Sequence, residues 1–401
     1  MFVPEEFLIS CSLPDARQQL SKRISGCTHT NSHDSAHASQ LLLWHMKHNI
    51  LAHRPNDLNA SWAQRVLNCH CSHVTVSKVD LVSVDIGTTT RVRIAVEHDG
   101  PATLSRKWFV KLPSLAWRPR LITALPGLLH TETRFYNETA QAVPVIVPGL
   151  LAGQSKPGRG ATLVLNDVTE WGATAGNPGD ALTADHATLV IKQLARLHAR
   201  FWNKFDLMQK YGWLMGPVRQ LEDHLGTALA VPLMKRGLRQ AGKLIPPSLH
   251  APAIRYACQR RRAMRFLSNG PQTLVHHDCH PGNLFWNQSQ PGLLDWQLVR
   301  FGEGIGDVAY FLATALTPEV RRDHEANLLA IYAQELRSSG VENIDFDTLK
   351  QRYRAHLVYP FEAMVVSLAV GGMIKPEINR ELIRRTVAAT SDLDAFAAIP
   401  P

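Results

Sequence analysis

The stretch "LVHHDCHPGNLFWNQSQPGLLDWQ" (274–297) decides how the rest of the chain is interpreted. Five consecutive residues in it carry groups that bind metals or move protons: His276, His277, Asp278, Cys279 and His280. Two interpretations are open at this point. The stretch is either a metal site built from histidines and a thiol, or a catalytic loop in which only some of these groups do chemistry.

The spacing of the polar residues favours the catalytic loop. His276, Asp278 and Asn283 form the pattern H-x-D-x-x-x-x-N, and Asp295 follows on the apolar run "GLLDWQ". Phosphoryl transfer needs this set, because one Asp accepts the proton of the attacking hydroxyl while an Asn five residues later and an Asp on the next strand bind magnesium. Between them, "LFWNQSQPGLL" has the apolar, turn, apolar pattern of a hairpin, which would place the two metal ligands side by side.

The metal interpretation has weaker support. Structural zinc needs four ligands, usually in pairs separated by two to four residues. A second cluster, "CHCSH" (69–73), does occur, but neither cluster has a finger spacing, and five adjacent residues cannot all aim their side chains at one point. A metal-dependent hydrolase that uses the histidines stays open as an alternative. It predicts stoichiometric zinc or iron and no nucleotide requirement.

Upstream residues extend the phosphoryl-transfer pattern. Lys111 lies in the strand-like run "WFVKLP" (108–113), where a lysine can reach nucleotide phosphates, and Glu132 lies on the next helical segment, where it can pair with that lysine. In the turn "DIGTTTRV" (85–92), backbone N–H groups from Gly87 to Thr90 and the threonine hydroxyls, including that of Thr88, can cradle phosphate. Each residue is ordinary alone, and their order along the chain carries the prediction.

The length of the chain and its residue patterns predict an N-terminal extension followed by two lobes. A chain of 401 residues is too long for one small core. Residues 1–57 are rich in His, Ser and Thr without a hydrophobic period, which predicts a disordered or partly helical extension, and Met46 is an alternative start. Residues 58–168 carry strand patterns and predict the N-lobe, whereas residues 169–401 are mainly helical and predict the C-lobe.

Composition limits the partners and the location. Hydrophobic content of 45% with 19% charged residues is ordinary for a globular protein, and the formal charge of +9 attracts phosphates of any kind. No Lys/Arg run is long enough for a nucleic-acid arm, and the arginine cluster at 255–265 predicts a solvated helix face. The longest apolar run, "AMVVSLAVGGMI" (363–374), is too short to span a membrane, and the N-terminus lacks the basic residues of a secretory signal. With six scattered cysteines, the sequence predicts a cytoplasmic protein with no nucleic-acid partner and no membrane span, and it leaves the oligomeric state open.

The motifs "LVHHDCHPGN", "LLDWQ" and "GIGDVAYFLA" resemble the aminoglycoside phosphotransferase and choline kinase-like superfamily. The pairing of "TETRFY" with "LVLNDV" and "LARLHARFW" is most similar to its ecdysteroid kinase-like branch. The resemblance covers about residues 60–390. It implies an α+β, bilobal protein-kinase-like fold, with a small antiparallel-sheet N-lobe and a larger, mainly helical C-lobe, that phosphorylates small-molecule hydroxyls with ATP and Mg²⁺.

The resemblance also implies roles for individual residues. Asp278 matches the catalytic base, and His276 and His280 are expected to brace its loop. Asn283 and Asp295 match the magnesium ligands, and Lys111 and Glu132 match the ion pair that grips the phosphates. Asp307 matches an acid that we expect to cap the following helix and to steady the catalytic loop.

Three departures from the family pattern stand out. His277 occupies a position where the family usually has Gly, so the loop backbone there must accept a side chain. Asn166 replaces a common Glu before Asp167, in the strand that links the lobes and contacts the base. The phosphate-covering turn has only Gly87 in place of G-x-G-x-x-G. None of the three removes a catalytic group, although a catalytically inactive nucleotide-binding scaffold remains an alternative.

The sequence also predicts the class of phosphate acceptor. Residues 185–401 contain 26 Lys and Arg against 20 Asp and Glu, and a pocket for several ammonium groups needs clustered carboxylates. Aromatic and apolar groups are expected to cover the acceptor instead, for example Tyr353, Tyr359, Phe361 and Met364. We therefore expect a neutral, amphipathic or weakly charged alcohol and not an aminoglycoside.

Overall fold

The computed structural model describes residues 49–71, 73–116, 127–156 and 158–400. Most of the predicted extension, including its histidine-rich stretch and Met46, lies outside the described residues. Among the described residues, no helix combines the length and the apolar character needed to cross a bilayer.

An antiparallel sheet forms the N-lobe, with its five strands in the order β1-β2-β3-β5-β4. Alternation of side chains explains the sheet, because Val92, Ile94 and Val96 of the second strand are buried on one face while Arg91 and Arg93 point to the other. The strands are β1 (Val76–Ile86), β2 (Thr89–His98), β3 (Lys107–Pro113), β4 (Leu150–Lys156) and β5 (Gly160–Asn166).

A short helix, α1 (Ala60–Leu67), covers the face of the sheet on which Val92 lies. Its N-cap is Asn59, whose side chain accepts the N–H of Trp62 at 3.0 Å. The Trp62 indole N–H donates to the carbonyl of Ile50 at 2.9 Å. Ile50 is itself buried in the same core. The packed core of the N-lobe therefore includes residues before position 58, where the sequence placed the start of the lobe.

The opposite face of the sheet packs against helix α2 (Leu128–Glu138) and carries Lys111. In β3, Trp108, Val110 and Leu112 belong to the core under α1, and Lys111 lies between them on the other face. The period of two residues therefore separates the core of the N-lobe from its functional face.

Helices make up most of the C-lobe. The first of them is capped by Thr183, whose hydroxyl accepts the N–H of His186 at 3.3 Å, and its residues Leu194, Leu197 and Phe201 form a buried stripe. The bounds are α3 (Ala184–Phe201), α4 (Phe205–Lys210), α5 (Pro217–Ala241), α6 (Pro247–Cys258), α7 (Arg260–Leu267), α8 (Ile305–Ala315), α9 (Pro318–Ser338), α10 (Phe346–His356), α11 (Val358–Val370) and α12 (Pro376–Asp392).

Two small sheets in the C-lobe contain the strands of the stretch 274–297. One contains β6 (Thr174–Ala175), β8 (Leu284–Asn287) and β9 (Gln290–Leu293), and the other pairs β7 (Gln272–Val275) with β10 (Arg300–Glu303). The pairing of β8 with β9 is the hairpin that the sequence predicts. The bilobal α+β fold, with a small antiparallel sheet and a larger helical lobe, is confirmed.

The arginine cluster at 255–265 differs from its prediction in one member. The cluster spans two helices, and Arg260 is buried with its Nε 2.6 Å from Glu362 Oε1. Arg255, Arg261 and Arg262 are exposed, as a solvated face requires. The expectation of solvent exposure was therefore wrong for Arg260, because it neutralises a buried carboxylate.

Replacing Trp62 with Ala should lower the free energy of unfolding by about 3–5 kcal/mol, since the side chain is fully buried, packs edge-on against Trp108 and anchors Ile50. Urea unfolding monitored by circular dichroism measures the change. Trp171→Ala is the matched control, because Trp171 is 40% exposed and its removal should cost far less. Equal losses for the two variants would contradict the packing described here.

Candidate active site

The loop after β7 is held in place by one buried carboxylate. Asp307, in the first turn of α8, accepts the backbone N–H of His276 through Oδ2 and that of His277 through Oδ1, each at 2.7 Å. His198 lies 3.3 Å from the same carboxylate through Nε2. Asp307 therefore steadies the loop as predicted. The prediction that it caps α8 was wrong, because the N-cap is Gly304 and Asp307 lies inside the helix.

The His276 ring spans the base of the loop. Its Nε2 donates to the carbonyl of Leu294 at 2.7 Å, and its Nδ1 accepts the N–H of Asp278 at 3.3 Å. A carbonyl can only accept, so this pair of contacts requires the tautomer with the proton on Nε2. His276 thus connects the loop to the chain segment that carries Asp295.

Asp278 and Asn283 lie within hydrogen-bond distance of each other. Asn283 Nδ2 donates to the backbone oxygen of Asp278 at 2.8 Å and to its Oδ2 at 3.1 Å. His280 stabilises the turn between them, because its Nδ1 accepts the N–H of Gly282 at 3.0 Å, and its Nε2 lies 3.9 Å from Asp278 Oδ2. The Asp278 side chain stays 28% exposed, so its carboxylate can meet a substrate.

The hairpin β8–β9 returns the chain to this turn. Leu284 pairs with Leu293, and the next N–H, that of Leu294, donates to the carbonyl of Asn283 at 2.8 Å. Asp295 therefore leaves the hairpin beside Asn283. Its backbone is left-handed, with φ 59°, a conformation that costs a non-glycine residue about 1–3 kcal/mol and is common at functional sites.

Lys111, Glu132 and Asp295 form a buried ionic cluster. Lys111 Nζ lies 2.8 Å from both carboxylate oxygens of Glu132 and 3.1 Å from Asp295 Oδ1. Glu132 also accepts the N–H of Trp296 at 3.2 Å and the amide of Gln297 at 3.4 Å. Gln297 was not predicted as a site residue from the sequence, although it lies two residues after Asp295.

Burial and charge oppose each other in the cluster. Burial raises the pKa of Glu132 to about 7, with Lys111 acting in the opposite direction. Burial also disfavours the charged forms of Asp295 and Lys111, but attraction outweighs it, so the pKa of Asp295 is lowered and that of Lys111 is raised. The lysine stays charged and holds both carboxylates.

The predicted phosphate turn is already engaged in part. The Gly87 N–H donates to the carbonyl of Thr89 at 3.0 Å, and the Thr90 hydroxyl accepts the N–H of Leu115 at 3.0 Å. Thr88 lies between them at the end of the hairpin. The Gly87 N–H is therefore already used within the turn, so the phosphate cradle predicted from Gly87 to Thr90 has fewer N–H donors for a phosphate than the sequence suggested.

Strand β5 ends at Asn166, and Asp167 is the next residue along the chain. The Asn166 N–H donates to the carbonyl of Gly149 at 2.9 Å, whereas Asp167 Oδ2 accepts from Arg93 Nε at 2.8 Å. Arg93 also lies over the ring of Phe109, 5.5 Å from its centroid. Asp167 is therefore committed to an arginine on the functional face of the sheet.

His277, the departure from glycine, adopts the left-handed backbone expected of that position, with φ 68°. Its ring stacks on Tyr359 with centroids 4.3 Å apart. Burial, and then the nearby Arg300 and Arg219, hold the pKa of His277 well below its usual value, so the ring is neutral. The next residue along the chain is Asp278.

A cavity of about 180 Å³ opens beside His277. Its wall contains aromatic residues and paired charges, among them Tyr310, Tyr359, Arg219, Arg300, Asp223 and Glu303. Burial, and then the charge of Asp278, hold the pKa of Tyr310 well above its usual value.

The charged groups of the cavity wall are committed to one another. Asp223 pairs with Arg300 at 3.0 Å, and Glu303 pairs with His356 at 2.9 Å and with Arg352. Of the four residues predicted to cover the acceptor, Tyr359 lines this cavity. The others, Tyr353, Phe361 and Met364, are buried in the helical core.

The metal interpretation of the histidine clusters finds no support in the described ranges. Between residues 49 and 400, outside the gaps at 72, 117–126 and 157, no three His, Cys, Asp or Glu side chains converge on one point. In "CHCSH", the ring of His70 contacts the carbonyl of Leu151 instead. The oxygen donors of Asn283 and Asp295 suit a hard cation such as Mg²⁺.

Lys111→Met and Glu132→Gln should be strongly non-additive in the free energy of unfolding, with a coupling of about 1–3 kcal/mol, because each change leaves the other charge buried. Urea unfolding of both single variants and the double variant measures it. The matched control is the exposed pair Arg134–Glu138 on helix α2, for which Gln substitutions should couple by about 0.5 kcal/mol or less. Additive losses at Lys111 and Glu132 would contradict the pairing.

Comparisons with solved structures found low sequence identity. A Plasmodium vivax ethanolamine kinase is 12% identical with a TM-score of 0.49, covering 92% of this chain and 96% of that one. A Cryptosporidium parvum choline kinase is 11% identical with a TM-score of 0.46, covering 82% and 92%. A putative aminoglycoside phosphotransferase from Ralstonia eutropha is 13% identical with a TM-score of 0.47, covering 84% and 98%.

The comparison with curated proteins returned no similar sequence. A family model does match, over residues 90–343, which is more than half of the chain and includes Lys111, Glu132 and the whole catalytic loop. The chain belongs to the APH family, the phosphotransferase enzyme family.

Proposed function

We propose that the protein transfers the γ-phosphoryl group of ATP to a hydroxyl of a small molecule, with Mg²⁺ and with Asp278 as the catalytic base. The observation that carries the proposal is the cluster in which Lys111 contacts Glu132 and Asp295. It joins the sheet, helix α2 and the end of the β8–β9 hairpin within 3.1 Å, next to the turn that carries Asp278. Phosphoryl transfer by kinase-like folds uses a lysine, its glutamate and a metal-binding aspartate in this relation.

In this mechanism Asp278 orients the acceptor hydroxyl and takes its proton. The hydroxyl oxygen forms the new bond to the γ-phosphorus while the bond from that phosphorus to the bridging oxygen breaks, and ADP leaves. The partial exposure of Asp278 and its hydrogen bond from Asn283 support this role, because the carboxylate is both accessible and fixed. His276 and His280 act on the loop as positioning residues.

Asn283 and Asp295 would hold the magnesium ion. Asn283 donates to Asp278 through Nδ2, which leaves its Oδ1 as the ligating atom, and Asp295 supplies carboxylate oxygens beside it. When bound, the ion neutralises charge on the phosphate oxygens. Lys111 would contact the phosphates, and Gly87, Thr88, Asn166 and Asp167 remain the proposed nucleotide-binding positions of the N-lobe.

The cavity beside His277 is the proposed acceptor site. Its two lining carboxylates, Asp223 and Glu303, are already neutralised, so the described wall offers no cluster of free carboxylates for ammonium groups. Tyr310 and Tyr359 offer aromatic surface near Asp278. We therefore propose a neutral, amphipathic or weakly charged alcohol, in keeping with the resemblance to the ecdysteroid kinase-like branch.

The free thiols of Cys69, Cys71, Cys258 and Cys279 support a cytoplasmic location.

Wild-type protein should consume ATP with at least one alcohol in a panel of hydrophobic alcohols, choline and kanamycin-type aminoglycosides, and Asp278→Asn should lower kcat by about 10²–10⁴-fold. ATP affinity, measured by calorimetry, should stay nearly unchanged. Asp206→Asn, an exposed aspartate on α4, is the matched control and should keep full turnover. Full activity in Asp278→Asn would remove this residue from the mechanism, and efficient turnover of an aminoglycoside would overturn the acceptor class alone. Nucleotide binding without turnover of any acceptor would favour an inactive scaffold.

Asn283→Ala and Asp295→Ala should both shift the dependence of activity on Mg²⁺ concentration to higher values, because each removes a proposed oxygen ligand. Titration of Mg²⁺ at saturating ATP measures the shift. Asp185→Ala, an exposed aspartate at the start of α3, should leave the curve in place. An unchanged curve for Asp295→Ala would count against the kinase proposal as a whole.

A further inference from the structure

Arg91 lies on the face of the sheet that carries the proposed nucleotide site. In the β2–β3 ladder it is the direct partner of Lys111, so the two side chains leave the sheet on the same side. Its guanidinium reaches back to the β1–β2 turn, where NH2 would lie 3.2 Å from a Cβ placed on Gly87. Arg91 therefore lies between the turn expected to cover the phosphates and the lysine expected to grip them.

The turn itself offers little to an anion in its present form. The Gly87 N–H donates to the carbonyl of Thr89, and the Thr90 hydroxyl accepts the N–H of Leu115. Thr90 also points to the other face of the sheet, with Val92 and Ile94. A nucleotide held here needs a donor that these groups do not supply.

The charge balance of the cleft points to the same need. Lys111 is shared by two carboxylates, Glu132 and Asp295, so this cluster carries a net negative charge when all three groups are ionised. Arg93, the other arginine of β2 on this face, is held by Asp167, whose side chain is only 4% exposed. Of the two arginines that the described part of β2 places on this face, Arg91 is the one that remains for a ligand.

The present partner of Arg91 holds it weakly. NH2 lies 2.6 Å from Asp85 Oδ2, but the Asp85 side chain is 68% exposed, and an exposed pair of this kind contributes little to stability. Arg91 Nε is buried and has no hydrogen-bond partner in the part of the chain that the structure describes. Asp85 takes only the NH2 group of Arg91, whereas a phosphate can accept two parallel N–H groups from an arginine and carries more negative charge than a carboxylate.

We infer that Arg91 binds the phosphate groups of the nucleotide, replacing the glycine-rich turn that the chain lacks, and that Asp85 competes with the nucleotide for it. The inference rests on the proposed function, since it assumes that a nucleoside triphosphate occupies the cleft.

The test is nucleotide binding by calorimetry in the presence of Mg²⁺, which needs no knowledge of the acceptor. ATP, ADP and adenosine are titrated into the full chain and into Arg91→Gln, Arg91→Lys and Asp85→Asn. Arg91→Gln should weaken ATP by about 10- to 100-fold, ADP by less, and adenosine by no more than about twofold. Arg91→Lys should recover part of the loss, because it keeps the charge without the fork. Asp85→Asn should tighten ATP, because it removes the competitor.

The matched control is Lys78→Gln, which breaks the exposed Lys78–Asp80 pair on the other end of the same hairpin and should leave all three ligands unchanged. Equal weakening of ATP and adenosine by Arg91→Gln would mean a structural role and would overturn the inference, as would unchanged ATP binding. If Arg91→Gln does not fold, as judged by circular dichroism, the opposite shift in Asp85→Asn decides alone, and an unchanged affinity there overturns the inference. Wild-type protein that does not bind ATP would instead overturn the proposed function, and this inference with it.

Discussion

One interaction, the buried ionic cluster of Lys111, Glu132 and Asp295, fixes how the sheet, helix α2 and the end of the β8–β9 hairpin are placed in the site. Removing three charges from water is expensive, and the expense is recovered only when every group has its partners in good geometry. Glu132 satisfies this condition through the lysine and through Trp296 and Gln297, which immediately follow Asp295. The sheet, helix α2 and the segment that carries Asp295 therefore cannot separate without leaving a charge buried and unpaired.

A second buried carboxylate fixes the other half of the site. Asp307 accepts two successive backbone N–H groups, and this geometry requires the chain to turn sharply between His276 and His277. His277 consequently takes a left-handed conformation that glycine would adopt at no steric cost. Its stacking on Tyr359 offers compensation that glycine lacks, and it brings an aromatic ring to the edge of the proposed acceptor cavity.

The sequence predicted the parts of the site that depend on local spacing. The interval between Asp278 and Asn283 and the hairpin that ends at Asp295 are encoded within a short stretch of chain, so pattern and turn chemistry were sufficient. Contacts between distant segments could not be predicted in the same way. The Gly87 N–H donates a hydrogen bond across its own turn, and three of the four candidate acceptor residues are buried in the core. Both features depend on the folded structure around these residues, which the spacing of residues in the sequence does not show.

The charge of the chain illustrates the same limit. A formal charge of +9 suggests a surface that attracts phosphate, yet the cavity near Asp278 contains arginines that are paired with carboxylates. Exposed positions such as Arg261 and Arg262 of α7 carry part of the excess instead. Within the described part of the cleft, the cations that face the proposed phosphate site are few and individually placed. Under the proposed function, recognition of a nucleotide there would depend on the position of single side chains and on their exchange between protein carboxylates and phosphate, and not on the overall field of a basic protein.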